Sequence, residues 1–215
     1  MGVPLSGKSS KFSKAAIEAV RTRRAYFDCR FGQLHVRTAF PTTGGFDEQV
    51  TLICLHPEQR SSRIFAGFLP HIADVRSVYA PDLPGCGESD PSPASSVADA
   101  AGAIADLARD LRLRQIDLLS LHSAGAIALE LAAERPELVR RLVLVGVPTA
   151  DRLPQASQPG LVMRTPRDTD ASLSRVKAAL TRGRFVDMLD YADELFDDAP
   201  KKLATQFGEF LSGKA

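Results

Sequence analysis

The sequence predicts an α/β protein in which a mostly parallel, twisted sheet is covered by helices on both faces. Continuous apolar runs such as VTLICLH and RRLVLVGVP are typical of strands buried on both faces. Segments with helical periodicity alternate with these runs through the second half of the chain. The 215 residues suffice for one domain with a sizeable core. We therefore predict a single domain over residues 24–215, preceded by a basic arm over residues 1–23.

The individual elements follow from local patterns. The predicted strands are AYFDCRF and QLHVRTAF, which flank Gly32 as an antiparallel hairpin, then VTLICLH, VRSVYAPD, IDLLSLH, RRLVLVGVP, PGLVMRT and RFVDML. The apolar spacing predicts helices over residues 63–74, 95–113, 124–134, 172–180 and 200–211. Pro136 is expected to stop the third of them.

Composition excludes several classes of protein. A formal net charge of +1 argues against a nucleic-acid partner bound over the whole surface. No apolar run approaches the roughly 18 residues that would cross a membrane. The N-terminus also lacks the apolar core of a signal peptide. We therefore expect a cytoplasmic protein with no nucleic-acid or membrane partner.

Neither a metal nor a cofactor is expected. Cys29, Cys54 and Cys86 are scattered, odd in number and without CxxC spacing, so a disulfide framework or a zinc site is not predicted. The glycine-rich LPGCGESD does not have the spacing of a dinucleotide-binding loop.

Four polar segments follow predicted strands, where ligands gather in such sheets. In chain order they are LHPEQRSS, PDLPGCGESD, LHSAG and RTPRDTD. Together these segments resemble the α/β-hydrolase fold superfamily, especially its esterase-like and epoxide-hydrolase-like members, over about residues 25–213. The resemblance implies the α/β-hydrolase fold and a serine nucleophile on a sharp strand-to-helix turn, the nucleophile elbow.

In LHSAG, the resemblance implies that Ser123 is this nucleophile and lies at the tip of the turn. Gly125 fills a position where the family has a small residue, whereas Leu121 stands where glycine is usual. A serine that simply caps the following helix is the alternative interpretation.

In LHPEQRSS, the resemblance implies that the backbone N–H groups of Glu58 and Ala124 form an oxyanion hole. Pro57 replaces the usual glycine of this loop. His56 and His122 are predicted to border the substrate. Two alternatives remain: His56 is hydrogen-bonded within its loop, and the side chain of His122 points away from the site.

In RTPRDTD, the resemblance implies that Asp168 is the catalytic acid. Asp170 and Asp151 remain as alternatives. Aspartates in such segments also cap helices without any catalytic role.

The general base is the main departure from the family. In YADELFDDAP, Asp193 stands where the family has a histidine, and all four histidines of the chain precede Ser123. An aspartate ordinarily has a pKa near 4, too low for a base matched to neutral pH. Asp193 as an unorthodox base and His56 reaching the site from the oxyanion side are the alternatives.

A second departure concerns the lid. Only about a dozen residues separate the strand that ends at Val147 from the one that begins near Gly160, so we expect no cap domain and an open pocket. A second copy of the chain covering that pocket, as a homo-oligomer, is a hypothesis.

Three functions follow from these features. The first is an esterase-like protein with impaired or atypical catalysis, that is, a pseudoenzyme candidate, which would bind a small acyl or ester-type molecule. The second is a functional carboxylic-ester hydrolase that uses Ser123 with an unorthodox base. The third is a non-catalytic ligand- or protein-binding module.

Overall fold

The fold is an eight-stranded sheet flanked by helices, and it confirms the predicted α/β-hydrolase class. The computed structural model describes residues 20, 22–42, 49–92, 96–188 and 195–213. Its strands are β1 Arg23–Cys29, β2 Gly32–Ala39, β3 Thr51–Leu55, β4 Val78–Pro81, β5 Ile116–Leu121, β6 Val139–Val145, β7 Gly160–Arg164 and β8 Gly183–Asp187. Its helices are α1 Leu69–Ile72, α2 Val97–Asp110, α3 Ala124–Glu134, α4 Asp170–Ala179, α5 Leu195–Asp198 and α6 Pro200–Ser212. The expected basic arm lies largely outside the described residues.

The strand order is β1-β2-β4-β3-β5-β6-β7-β8. β2 is antiparallel to both β1 and β4, and the other neighbouring strands are parallel. The parallel strands β3 to β7 are almost entirely buried, as their continuous apolar runs predicted. Their carboxyl ends therefore meet along one edge, where the polar segments of the sequence collect.

Two apolar cores lie on opposite faces of the sheet. One contains the buried faces of α2, α3 and α4. The other contains α1, α5 and α6, with Phe65, Phe68, Phe196 and Phe207 in mutual edge and tilted ring contacts. Helices on both faces bury the sheet, as parallel sheets require.

The helix predicted over residues 63–74 is wrong. The structure has a 3-10 helix, Ser62–Phe65, followed by turns and then the short α1. Pro70 is the reason, because proline has no N–H to donate and its ring clashes with the carbonyl four residues earlier. It is tolerated only in the first turn of a new helix, where α1 places it.

The connection between β6 and β7, residues 146–159, contains no helix. Ala156 forms an isolated bridge with Leu180. Among the described residues, no helix is long and apolar enough to pass through a membrane.

A cluster of buried charges holds the opposite edge of the sheet. Asp117, near the start of β5, is 0% exposed and accepts from Nη1 of Arg76 at 3.1 Å. It also accepts from Nε and Nη2 of Arg140 at 3.0 and 2.6 Å. Arg140 in turn donates to the carbonyl of Leu211, at 2.7 Å. The cluster therefore ties β5, β6 and α6 together.

Candidate active site

The turn between β5 and α3 has its left-handed residue at His122 and not at Ser123. His122 has φ 45°, and its N–H donates to the carbonyl of Val145 at 2.9 Å. Ser123 has ordinary helical angles, φ −57° and ψ −32°, and immediately precedes α3. The expectation that Ser123 lies at the tip of the turn is thereby corrected by one residue. Histidine adopts the left-handed conformation more readily than most residues with a side chain.

The sequence contained a signal for this turn that was missed. A tight strand-to-helix turn needs small residues two positions before and after its tip, because strand and helix crowd each other there. Ser120 and Ala124 stand at these positions around His122, and both are fully buried. With His122 at the tip, Leu121 no longer departs from the small-residue pattern.

The hydroxyl of Ser123 is hydrogen-bonded to the loop after β3. The N–H of Glu58 donates to Oγ of Ser123 at 3.0 Å. Although Ser123 is the residue at the N-cap of α3, its side chain makes no capping hydrogen bond. The N–H of Glu58, one of the two expected oxyanion-hole donors, is therefore already hydrogen-bonded to the serine. The N–H that follows the tip residue belongs to Ser123 and not to Ala124, which shifts the second expected donor as well.

His56 is hydrogen-bonded to the same loop and to the loop after β4. Its side chain is 0% exposed, its Nδ1 lies 2.8 Å from the carbonyl of Pro57, and its Nε2 accepts from the N–H of Leu83 at 2.9 Å. Burial lowers the pKa of His56, with a partial opposing effect from the Pro57 carbonyl and Asp82. Both ring nitrogens of His56 are therefore engaged within the protein, which favours the structural alternative. That His56 borders a substrate stays a prediction.

His122 lies against the loop after β6. A methyl group on Gly146 would overlap Nδ1 of His122, so the ring packs directly on the glycine backbone. Burial lowers the pKa of His122, the charge of Asp168 opposes this, and Arg167 adds to it. The imidazole is therefore partly buried between the turn and the segment that contains Asp168.

Of the three aspartates proposed as the acid, Asp168 is the one fixed at the carboxyl end of the sheet. Its carboxylate accepts from the N–H of Val147 at 3.0 Å and from the N–H and hydroxyl of Thr165 at 2.7 and 3.0 Å. Asp170 and Asp151 are exposed and pair with arginines on the surface. Thr169, and not an aspartate, caps α4.

Asp82, which the sequence interpretation did not single out, organises the loop after β4. Its carboxylate accepts from the N–H groups of Ser62 and Glu88 at 2.6 and 2.9 Å and lies 2.8 Å from Nδ1 of His35. Burial alone would raise the pKa of Asp82, but these hydrogen bonds outweigh it and hold the pKa below its ordinary value. In the sequence, the only indication of this role of Asp82 was its position at the end of a predicted strand.

A pocket of about 390 Å³ opens beside Ser123. Its apolar wall is formed by Leu83, Val97, Ala100 and Ile127, and its polar lining includes Gln59, Ser92 and Ser96. Glu58 and Ser123 also line the pocket and are joined by the hydrogen bond described above, and this pair is called its polar end. The volume is at the small end of the range for ligand sites. Among the described residues, no group of three or more His, Cys, Asp or Glu is placed to hold a metal ion.

The position predicted for the general base, Asp193, lies outside the described residues. Asp193 as that base stays a prediction. The two remaining histidines have other surroundings. His35 pairs with Asp82, and His71 is exposed on α1.

Comparison with known proteins agrees with this architecture. Residues 50–212 match the family model of the alpha/beta hydrolase fold. This range includes most of the chain, and the chain belongs to that family.

Solved structures show the same fold. The naproxen esterase of Bacillus subtilis is similar over 89% of this chain and 92% of its own, with TM-score 0.76 and 16% identity. A haloalkane dehalogenase variant of Bradyrhizobium elkanii is similar over 90% of this chain and 97% of its own, with TM-score 0.72 and 14% identity. At these identities the similarity concerns the fold alone.

Curated relatives match a shorter stretch. A 2-hydroxymuconate semialdehyde hydrolase of Pseudomonas sp. strain CF600 is 41% identical over 84 residues, which is 36% of this chain and 28% of that protein. An uncharacterised protein of Mycobacterium tuberculosis is 33% identical over 95 residues, 44% of this chain and 28% of its own. The match thus spans little more than a quarter of either relative's length.

Proposed function

We propose that this protein binds a small acyl or ester-type molecule in the pocket beside Ser123 and is impaired in serine-hydrolase catalysis. The observation that carries the proposal is the left-handed conformation of His122 at the turn between β5 and α3. In α/β-hydrolases the nucleophile occupies that strained position, which projects its reactive atom over the sheet. Here an imidazole takes the place of a hydroxyl.

The hydrogen bond between Glu58 and Ser123 supports the same conclusion. An oxyanion hole works because its N–H groups are aimed at the site where negative charge develops. The Glu58 N–H is aimed at the Ser123 hydroxyl instead, at 3.0 Å. For the N–H to stabilise an oxyanion, the serine would first have to release it.

Apart from His122, no histidine in the described part of the chain is placed to act as a base for Ser123. A serine hydroxyl needs a neighbour that takes its proton and returns it to the leaving group. His35 and His56 are engaged in buried hydrogen bonds, and His71 is exposed on α1. The resemblance to the family assigns the base position to Asp193, whose carboxylate is a poor base at neutral pH.

A functional carboxylic-ester hydrolase with an unorthodox base is the second candidate. The observation in its favour is that the charge of Asp168 acts on His122 at the same turn. An imidazole beside a fixed carboxylate is the combination that catalytic bases use.

The test is steady-state turnover of p-nitrophenyl acetate by the wild type, Ser123→Ala, His122→Ser and the double variant His122→Ser/Asp193→His. His71→Gln serves as the control for an exposed imidazole that reacts without a site. Impaired catalysis predicts equal, near-background rates for the wild type, Ser123→Ala and His71→Gln. It also predicts a gain in the double variant, which supplies both a hydroxyl at the tip and a histidine base.

Two outcomes contradict the proposal. A wild-type turnover that Ser123→Ala abolishes establishes a working serine hydrolase. A wild-type turnover that survives in Ser123→Ala but disappears in His122→Ser establishes a reaction that depends on the imidazole. Circular dichroism of each variant confirms that a lost rate is not a lost fold.

A further inference from the structure

In the described part of the chain, the pocket beside Ser123 is lined by one charged residue, Glu58, whose charge distinguishes between ligands. The inference drawn from this residue rests on the proposed ligand site. We propose that, among small acyl or ester-type molecules, the pocket prefers those with a cationic head group, represented by a primary ammonium on a short apolar chain, and disfavours carboxylates. The carboxylate of Glu58 at the polar end and the apolar wall at the other end are the features that define this preference.

The apolar wall determines the ligand's tail. Leu83 and Ile127 are buried core residues that face the pocket, and Ala100 and Val97 extend the same wall along α2 toward the mouth. Burial of a hydrocarbon chain against such a wall is favourable because it removes apolar surface from water. A volume of about 390 Å³ limits the ligand to a small molecule.

The charge at the polar end determines the head group. Of the described residues that line the pocket, Glu58 is the only Asp, Glu, Lys, Arg or His. Its carboxylate forms no ion pair with the residues that the structure describes. A cation in the pocket would therefore meet an available negative charge, and an anion would meet a like charge.

The surroundings strengthen this negative character. The carboxylate of Asp82 lies at the start of the loop that lines the pocket, where its three described contacts are with the N–H groups of Ser62 and Glu88 and with Nδ1 of His35. None of these three groups belongs to a Lys or Arg. Burial raises the pKa of the Cys86 thiol at the pocket wall, and the negative charges of Asp82 and Glu58 raise it further. Both carboxylates thus act on a group inside the pocket.

One backbone donor at the polar end is already in use. The Glu58 N–H is bonded to Oγ of Ser123. An anionic ligand would have to displace that hydrogen bond while facing the Glu58 side chain. A cationic ligand leaves it in place.

The experiment is isothermal titration calorimetry with octylammonium, octanol and octanoate, each below its micelle concentration, on the full chain. The variants are Glu58→Gln, which keeps the backbone N–H, and Glu134→Gln, which removes an equal charge at the exposed end of α3. Val97→Trp fills the mouth of the pocket from a position that is 36% exposed, so the fold should tolerate it.

We expect octylammonium to bind roughly two- to fivefold tighter than octanol, as for a solvent-accessible ion pair, and octanoate to bind weakest. Glu58→Gln should abolish this order, Glu134→Gln should preserve it, and Val97→Trp should weaken all three ligands. Added salt should reduce the difference between the ligands in the wild type.

The outcomes separate the two proposals. If the three ligands bind equally or octanoate binds tightest, and Val97→Trp still weakens them, the pocket binds ligands but the inferred charge preference is wrong. If none of the three binds, or if Val97→Trp leaves binding unchanged, the proposed ligand site itself is wrong.

Discussion

The buried cluster of Asp117, Arg76 and Arg140 yields the sharpest prediction about stability. Asp117→Asn removes the one negative charge that faces two guanidinium groups. Arg76 is 1% exposed and cannot reach water, whereas Arg140 is 27% exposed. Removing one partner of a buried ion pair costs about 3–5 kcal/mol, because the other charge stays buried without compensation. We expect Asp117→Asn to lose about that amount of unfolding free energy.

Arg76→Met should cost less, about 1.5–3 kcal/mol, in the range of a lost hydrogen bond to a charged group. Asp117 would keep both contacts from Arg140, at 3.0 and 2.6 Å, so its charge would remain compensated. The structure therefore predicts an order for the two variants as well as a size for each effect. A double variant, Asp117→Asn/Arg76→Met, should be more stable than Asp117→Asn alone because the stranded cation is gone.

Urea unfolding followed by circular dichroism measures these differences, since the chain contains no tryptophan for fluorescence. Asp110→Asn, at the exposed end of α2, is the matched control and should stay within about 0.5 kcal/mol of the wild type. The slope of free energy against urea must be unchanged for the comparison to hold. A larger loss for Arg76→Met than for Asp117→Asn would refute the argument.

Two further predictions concern the site. Burial holds the pKa of His56 below its unfolded value, so the native state resists protonation and stability should fall as the pH drops below about 6.5. His56→Gln should flatten that dependence in urea titrations repeated from pH 8 to pH 5. If the unfolding free energy of His56→Gln depends on pH as steeply as that of the wild type, the prediction is wrong. Gly146→Ala should destabilise the fold by at least about 1–2 kcal/mol, because Gly146 has φ 70° and the added methyl would overlap the His122 ring. A thermal melt tests the second prediction, with displaced His122 ring resonances by NMR as its signature, and a variant of wild-type stability with unmoved resonances would speak against it.

Much of the fold could be predicted because hydrophobic periodicity determines the elements of a buried parallel sheet. The helix predicted over residues 124–134 has those bounds in the structure. The continuous helix predicted around Pro70 is wrong because five apolar residues at helical spacing favoured it, whereas proline cannot continue a helix. Local backbone chemistry overrides periodicity at such points.

The site was harder to predict, for two physical reasons. The residue at the tip of the turn depends on which pair of small residues flanks it, and LLSLHSAG allows two registers that differ by one position. The pairing of Asp82 with His35 and of Asp117 with Arg76 joins residues 47 and 41 positions apart, which one sequence cannot reveal. Asp168, by contrast, was predicted as the acid from its place after β7, and its catalytic role stays a prediction.

The two outermost strands have a consequence for how the protein behaves at high concentration. Within the described residues, β1 and β8 each have a sheet neighbour on one side only, so no described strand pairs with the backbone groups along the other side. Such borders are templates on which further chains can stack into fibrils. Both strands interrupt that template with charge, Arg24 and Asp28 in β1 and Arg184 and Asp187 in β8. The sheet is in this way protected from growing beyond its eight strands.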